Sequence, residues 1–336
     1  MPSERDIAKG LERAYGAAEV VPLDLTSARC VVLSDQHKGA RDGADDFRTC
    51  EKAYRAALGY YLADGYTLYA LGDVEELWEC RAKNVIAAYE SVMWLEAEFH
   101  KQGRYVRFFG NHDDKWESPR AVATHLHRFY PNLVVIEGLR LELHDASGRL
   151  GEVFLVHGHQ GSSTSDKFKW ISKPIVRYIW RPIQRLTHAK LNTPATSFAL
   201  RATHGRAMHA WASGKRGTVL IAGHTHKPVF LAEPEVPRLE AKLAAARDGD
   251  ATAEELAALR AELEWHRSLE EAPGEVSTKP CYFNTGCCVF DDGDCTGIEL
   301  ADGEIRLVRW PDDEGRPRRK VIRAADLRTV FRHCAA

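Results

Sequence analysis

The chain has 336 residues, 44% of them hydrophobic and 28% charged. That mix excludes the disordered, collagen-like and coiled-coil classes, and no apolar run is long enough to predict a transmembrane helix. The 46 basic and 48 acidic residues leave a net charge of -2, which at first sight argues against a protein directed at nucleic acid or a membrane.

The opening MPSERDIAKGLERAYG is polar and lacks the apolar core of an export signal, so a cytoplasmic protein is expected. The eight cysteines, Cys30, Cys50, Cys80, Cys281, Cys287, Cys288, Cys295 and Cys334, form no C-x-x-C pair. They are expected to be reduced thiols, with Cys287 and Cys288 in a strand. A length prior of about 150 residues per domain allows two domains, but one large α/β domain over 1–336 is the reading adopted.

RCVVLSD (29–35) reads as a buried strand, a short apolar run that ends in a polar turn. Residues 45–65 read as an amphipathic helix: Phe47, Tyr54, Leu58 and Leu62 share a face, and Gly65 stops it. YTLYALGD (66–73) predicts a strand, Glu75 to Gln102 a helix, and YVRFFGNHDD (105–114) a strand running into a loop. This β-α-β-α-β order implies a parallel sheet covered by helices. Further strands are predicted near 133–136, 139–144, 152–157 and 218–226. CYFNTGCCVF, CTGIEL and EIRLVRW predict an antiparallel run, with Asp-Gly turns at 292–293 and 302–303. Two helical insertions interrupt the pattern. One spans about 160–216, with Pro174 and Pro182 as breakers or helix starts. The other, about 238–271, reads as a hairpin broken at DGD, with Thr252 and Glu255 forming a capping box. The basic stretch Arg316 to Arg332 reads as a tail or an edge helix.

Metal-ligand residues recur where the strands end. Asp35 and His37 follow the first strand, Asp73 the second, Asn111, His112 and Asp113 the third. His157 ends VFLVH, and His224 and His226 follow VLIAG. Ligands of open α/β sheets gather outside the carboxyl ends of strands, so these five segments can converge. Carboxylates, imidazoles and an amide oxygen suit two divalent ions, Mn first, with Fe, Zn, Co or Ni also compatible. Asp73 is the natural bridge between them. In D-x-H on extended chain both side chains point the same way, so Asp35 and His37 are expected to share one ion, and His224 and His226 to act together. The other histidines, His204 among them, are expected to be surface or satisfied core groups. His159, two residues past His157, is a candidate to support the ligands.

The ordered set S-D-Q-H, G-D, G-N-H-D, V-H-G-H and G-H-T-H resembles the calcineurin-like metallophosphoesterase superfamily over roughly 29–230. The resemblance implies an α/β fold: a two-sheet β-sandwich flanked by helices, the metallophosphoesterase α/β/β/α arrangement, with a dinuclear site at one edge. It implies Asp35, His37, Asp73 and His226 around one metal, and Asp73, Asn111, His157 and His224 around the other. It makes His112 the catalytic histidine and Asp113 the group that orients it. The implied activity is hydrolysis of phosphoric esters, as a phosphomonoesterase or phosphodiesterase, by a metal-bridging hydroxide.

The 160–216 insertion is similar in position to the helical lid of the UDP-2,3-diacylglucosamine pyrophosphatases of lipid A synthesis. GDVEELWE and GHTHKP also resemble motifs of that branch, although it usually carries arginine where this chain has His112. A pyrophosphatase acting on a lipid-like substrate is therefore an alternative. The insertion holds eleven basic residues and one acid, Asp166, a local +10 that leaves -12 for the rest of the chain. The basic residues are Lys167, Lys169, Lys173, Arg177, Arg181, Arg185, Lys190, Arg201, Arg206, Lys215 and Arg216, and they are candidate contacts to substrate phosphate. Ile171, Ile175 and Ile179 fall on one helix face, so the insertion can cap the site or lie on the inner face of an anionic membrane. A nuclease would need a continuous basic groove with stacking aromatics, and nucleic acid is not the expected partner. A non-enzymatic scaffold that binds protein partners, as a retromer subunit of this fold does, would be expected to lose its ligands or His112, and every motif position here is filled.

Overall fold

The structure is a computed structural model that describes residues 3–161, 198–232, 235–249, 252–270, 279 and 281–335. Among these residues two sheets form. The first has the order β1-β6-β7-β8-β10-β9. Its strands are β1 (Glu19–Asp24), β6 (Gly138–Asp145), β7 (Gly148–Val156), β8 (Thr218–Ala222), β9 (Val229–Leu231) and β10 (Tyr282–Asn284). The second has the order β13-β12-β11-β2-β3-β4-β5. It holds β2 (Arg29–Leu33), β3 (Thr67–Leu71), β4 (Tyr105–Phe108), β5 (Val135–Ile136), β11 (Cys295–Ala301), β12 (Glu304–Trp310) and β13 (Lys320–Asp326).

The apolar runs of β2 and β3 are continuous because both faces are covered. Val32 and Leu71 join the core shared with Leu139, Leu155 and Ile221 of the other sheet. Val31, Leu33, Leu68 and Ala70 face the helices α2 (Phe47–Ala63) and α4 (Glu90–Lys101) instead. On the far side, α1 (Glu4–Ala17), α6 (Phe198–Ser213) and α9 (Leu327–Ala335) supply Ile7, Leu11, Met208, Trp211, Val330 and Phe331 to the first core. The outcome is a two-sheet sandwich between helical layers, as the resemblance implies.

Several expectations change. The helix expected over 75–102 is split into α3 (Ala82–Ala88) and α4, with Tyr89 between them. Residues 74–81 are irregular because Val74 N–H is bound by the Asp113 carboxylate and Lys38 bridges Glu75. Cys287 and Cys288 lie in a loop between β10 and β11, and β10 pairs in the other sheet from β11. The basic C-terminal stretch forms edge strand β13 and helix α9. The Asp302-Gly303 turn does join β11 to β12, both residues in the left-handed region at φ 55° and 80°. In the second insertion, α7 (Glu235–Asp248) and α8 (Ala253–Glu270) pack through Leu239, Leu243 and Leu263. Thr252 accepts from Glu255 N–H at 3.2 Å, and the Glu255 carboxylate accepts from Thr252 N–H at 2.7 Å. α5 (Pro119–His125) follows the third strand end.

One polar cluster in the core fixes the loop beneath the candidate site. Lys38 and Glu96 form a fully buried ion pair. Tyr54 and Tyr130 hydroxyls donate to the same carboxylate at 2.9 and 2.8 Å. Removing one partner strands the other charge, so Glu96→Ala is expected to lower unfolding free energy by about 3–5 kcal/mol in urea titration. A loss under about 1 kcal/mol would show the pair to be dispensable. Burial pushes the Glu96 carboxyl up, but Lys38 and Arg107 outweigh it and hold it below the usual range. Its contribution is therefore full above the usual glutamate range and drains away as pH falls through the lowered value.

Candidate metal centre

The ends of β2, β3, β4, β7 and β8 meet at one edge, and backbone bonds tie the loops that leave them. Asp35 N–H donates to Gly72 O at 3.1 Å, and His37 N–H to Asp73 O at 2.9 Å. Gly223 N–H reaches His157 O at 2.9 Å. The two sheets are joined by His224 N–H, which donates to Asp35 Oδ2 at 3.0 Å. Gly72 has φ +82°, and a Cβ there would lie 2.8 Å from the His157 ring, so only glycine lets these loops close.

Asp35, His37, Asp73, His224 and His226 all have left-handed backbone, with φ of 54°, 45°, 50°, 69° and 56°. This corrects the extended D-x-H geometry: the shared aim of Asp35 and His37, and of His224 and His226, comes from tight turns. Such conformations cost about 1–3 kcal/mol each and collect at functional sites.

Two groups result. Asp35, His37 and His226 hold their ligand atoms within 4.8 Å of one another, and so do Asp73, His157 and His224. In the first, His226 Nε2 lies 3.2 Å from Asp35 Oδ1 and 3.1 Å from His37 Nε2. In the second, His157 Nε2 lies 3.1 Å from Asp73 Oδ2. The same Asp73 oxygen is 3.7 Å from His37 Nε2, so it stands between the groups. Asn111 follows β4 on the same edge.

The residues fit two cations by a direct test. Asp35 Oδ1, Asn111 Oδ1, His157 Nε2 and His224 Nε2 are buried without a hydrogen-bond partner. Buried acceptors are normally satisfied. The opposite ring atoms are used: His157 Nδ1 bonds Leu71 O at 2.8 Å and His37 Nδ1 faces Glu76 Oε2 at 3.1 Å, which leaves each Nε2 aimed inward. Burial works to raise the carboxyls of Asp35 and Asp73, yet His157 foremost among their neighbours outweighs it, and both lie well below the usual range. Burial also opposes the charge on His157, but Asp73 and Asp35 prevail and raise it to about 9. Such a set is built to hold positive charge.

His112 sits beside these groups. Its ring stacks on Trp78 with centroids 4.6 Å apart at 19°. Its Nδ1 lies 2.6 Å from Glu76 Oε2. The carboxylate beside the His112 ring is therefore that of Glu76 and not, as expected, that of Asp113. Asp113 is spent on backbone, accepting from Gly110 N–H at 2.7 Å, Val74 N–H at 3.0 Å and Asp73 N–H at 3.2 Å, with Arg107 at 3.7 Å. It shapes the loops and makes no bond to the His112 ring. Glu76 was missed because it reads as part of a helix. Its signal was its place three residues past Asp73 in GDVEE.

His159 is buried, its ring 5.5 Å from that of His157, where a supporting residue would lie. His204, expected to be satisfied, is buried with both ring nitrogens unpartnered, its ring 5.0 Å from His224. Burial lowers it to about 4, so it is neutral. The cations of the first insertion divide. Arg206 bonds Glu4 at 2.9 Å, Lys215 bonds Glu12 at 2.8 Å, and Arg216 bonds Ala335 O at 2.9 Å, so these three brace the scaffold. Arg201 is half-buried on α6. Lys167, Lys169, Lys173, Arg177, Arg181, Arg185 and Lys190, with Ile171, Ile175, Ile179, Pro174 and Pro182, lie outside the described residues. Among the described residues no helix is long and apolar enough to cross a membrane.

A two-sheet sandwich with a histidine- and carboxylate-lined edge defines a metallophosphoesterase fold. The sequence model of the calcineurin-like phosphoesterase family matches residues 28–228, and the chain belongs to that family. No curated protein matches it at a significant level. Among solved structures it is similar to Vacuolar Protein Sorting 29 from Cryptosporidium parvum, at 11% identity over 89% of this chain and 98% of that chain, with a TM-score of 0.36.

Proposed function

We propose that the chain is a dinuclear-metal-dependent hydrolase of phosphoric esters. The observation that carries this is the set of four buried ligand atoms without a hydrogen-bond partner, Asp35 Oδ1, Asn111 Oδ1, His157 Nε2 and His224 Nε2, on loops that leave both sheets, with Asp73 within ligand distance of His157 and His224. Asp35, His37, Asp73 and His226 would hold one ion, and Asp73, Asn111, His157 and His224 the other. When bound, such ions supply positive charge that acidifies water and neutralises phosphoryl oxygens. The chain's own part lies in His112. Burial disfavours its charged form, but Glu76 and Asp73 outweigh burial and raise its pKa. Glu76 at Nδ1 and Trp78 against the ring face fix its position, so Nε2 can hold a proton for the leaving oxygen. The reading extends to a cytoplasmic location, with membrane contact through the basic insertion as its peripheral variant.

The test is an activity panel with Mn, Zn and Fe on a chromogenic phosphomonoester, a diester and a nucleotide-sugar pyrophosphate. Turnover of at least one substrate is expected, abolished by a chelator and restored by metal. Turnover that survives exhaustive chelation, or none under any metal, would overturn the proposal. Preference for the pyrophosphate would favour the lipid-precursor branch.

A further inference from the structure

His204 passes the same test as the four ligand atoms without being one of them. It is fully buried, and among the described residues neither ring nitrogen has a hydrogen-bond partner. Its ring lies 5.0 Å from that of His224, closer than the 5.4 Å between His157 and His224. Yet it is not part of the Asp73–His157–His224 group, whose ligand atoms lie within 4.8 Å of one another. Two nitrogen ligands of one ion, each about 2.1 Å from it, stand no more than about 4.2 Å apart. His204 is therefore one layer out, where a side chain touches what an ion carries and not the ion.

The fold holds it there. Arg206 bonds Glu4 and the Trp211 indole N–H bonds Glu12, both at 2.9 Å, which clamps α6 to α1. A Cβ on Gly158 would lie 3.3 Å from Met208 Sδ, so α6 rests directly on the turn that follows His157. Burial keeps the His204 ring neutral, with one N–H and one lone pair to offer. The Gly158 carbonyl works the other way, but it makes no hydrogen bond to the ring and could satisfy only one of the two nitrogens. Buried polar atoms are normally satisfied. Ions in the two ligand groups would satisfy the ligand atoms and leave His204 unpaired, whereas an oxygen on the second ion would satisfy it as well.

We infer that His204 binds a phosphoryl oxygen held at the second ion, donating its ring N–H to it. This rests on the hydrolase reading above. The contact is to the phosphoryl group, which every phosphoric ester shares, so it adds binding without selecting the leaving group. His112 stands on the other side, its ring 4.7 Å from that of His37 in the first ligand group. One histidine then serves the leaving oxygen and the other an oxygen that stays on phosphorus.

The experiment measures binding of orthophosphate to the metal-loaded protein by calorimetry, in the unaltered chain, His204→Phe and His204→Gln. His204→Phe is expected to keep both ions by elemental analysis and to bind phosphate about tenfold more weakly, the worth of one hydrogen bond to a charged group. Its Tm without metal should equal or exceed that of the unaltered protein, because an apolar ring replaces a buried polar one that has no partner. His204→Gln keeps an N–H and should recover part of the affinity. A packing role would lower Tm and leave phosphate binding alone. That result, or equal phosphate binding at equal metal content, overturns the inference. Loss of an ion from His204→Phe overturns it as well, by making the residue a ligand. With esters, kcat/KM should fall by a similar factor for a monoester and a diester, and a loss confined to one of them overturns the phosphoryl contact. Phosphate binding needs no turnover. If the unaltered protein hydrolyses nothing, the hydrolase reading fails, while phosphate binding that depends on His204 still supports this contact.

Discussion

His112→Asn is expected to lower turnover by about 10²–10⁴-fold, the usual worth of a positioned proton donor. Metal content, read by elemental analysis, is expected to stay at the level of the unaltered protein, because neither proposed ion draws on His112; a loss of metal would instead assign an ion to the neighbouring His37–Glu76–His112 group. Asparagine keeps a polar group against Trp78 but cannot hold a transferable proton. The companion change is Glu76→Gln. It removes the charge opposite Nδ1 and leaves the ring stacked, so it should fall between the unaltered protein and His112→Asn. Asp113→Asn acts differently. That carboxylate holds three backbone N–H groups, so its replacement should appear first in Tm. Turnover unchanged in His112→Asn would remove the histidine from the mechanism.

Asp73→Asn is the second large effect. One Asp73 oxygen stands between the two ligand groups, 3.1 Å from His157 Nε2 and 3.7 Å from His37 Nε2. Its charge serves both ions in the proposed site. Asparagine tolerates the left-handed backbone at φ 50°, so the fold is not what breaks. Bound metal is expected to fall well below two per chain. Turnover is expected to drop at least about 10³-fold, in keeping with several kcal/mol of lost charge stabilisation. Two tightly held ions in this variant would contradict the shared role of Asp73.

Much of the site was legible because ligands at strand ends are a sequence pattern. Strands β2, β3 and β4 announce themselves as apolar runs, and each stops at a polar residue that reaches the edge. What escaped notice follows from tertiary context. β1 alternates weakly, with burial limited to positions such as Val21 and Leu23, and it carries Pro22 at the sheet margin. Helix α1 contributes only Ile7, Leu11 and Ala14 to the core, too sparse a stripe to stand out in a charged segment. Glu75 and Glu76 look like helix formers, yet their side chains are taken by Arg107 and Trp116 in one case and by His37 and His112 in the other. The left-handed turns at Asp35 and His37 were hidden for another reason. Asp and His adopt positive φ more readily than most residues, but nothing in S-D-Q-H marks these two positions for it, and the turns show only in the backbone bonds to Gly72 O and Asp73 O.

The origin of the ligands has a mechanical consequence. Asp35, His37, Asp73 and Asn111 leave the sheet that holds β2, β3 and β4, whereas His157, His224 and His226 leave the sheet that holds β7 and β8. Each ion, in the proposed assignment, draws on both sheets. The pair would then act as a rivet through one margin of the sandwich, whereas the opposite margin is tied through α9, by Leu327 N–H to Gly303 O at 2.9 Å and Gly217 N–H to Cys334 O at 3.1 Å. Stripping the metal should let the sheets part from the riveted side first, with amide exchange rising at 34–38, 72–76 and 223–227 before it rises at the β12–β13 hairpin.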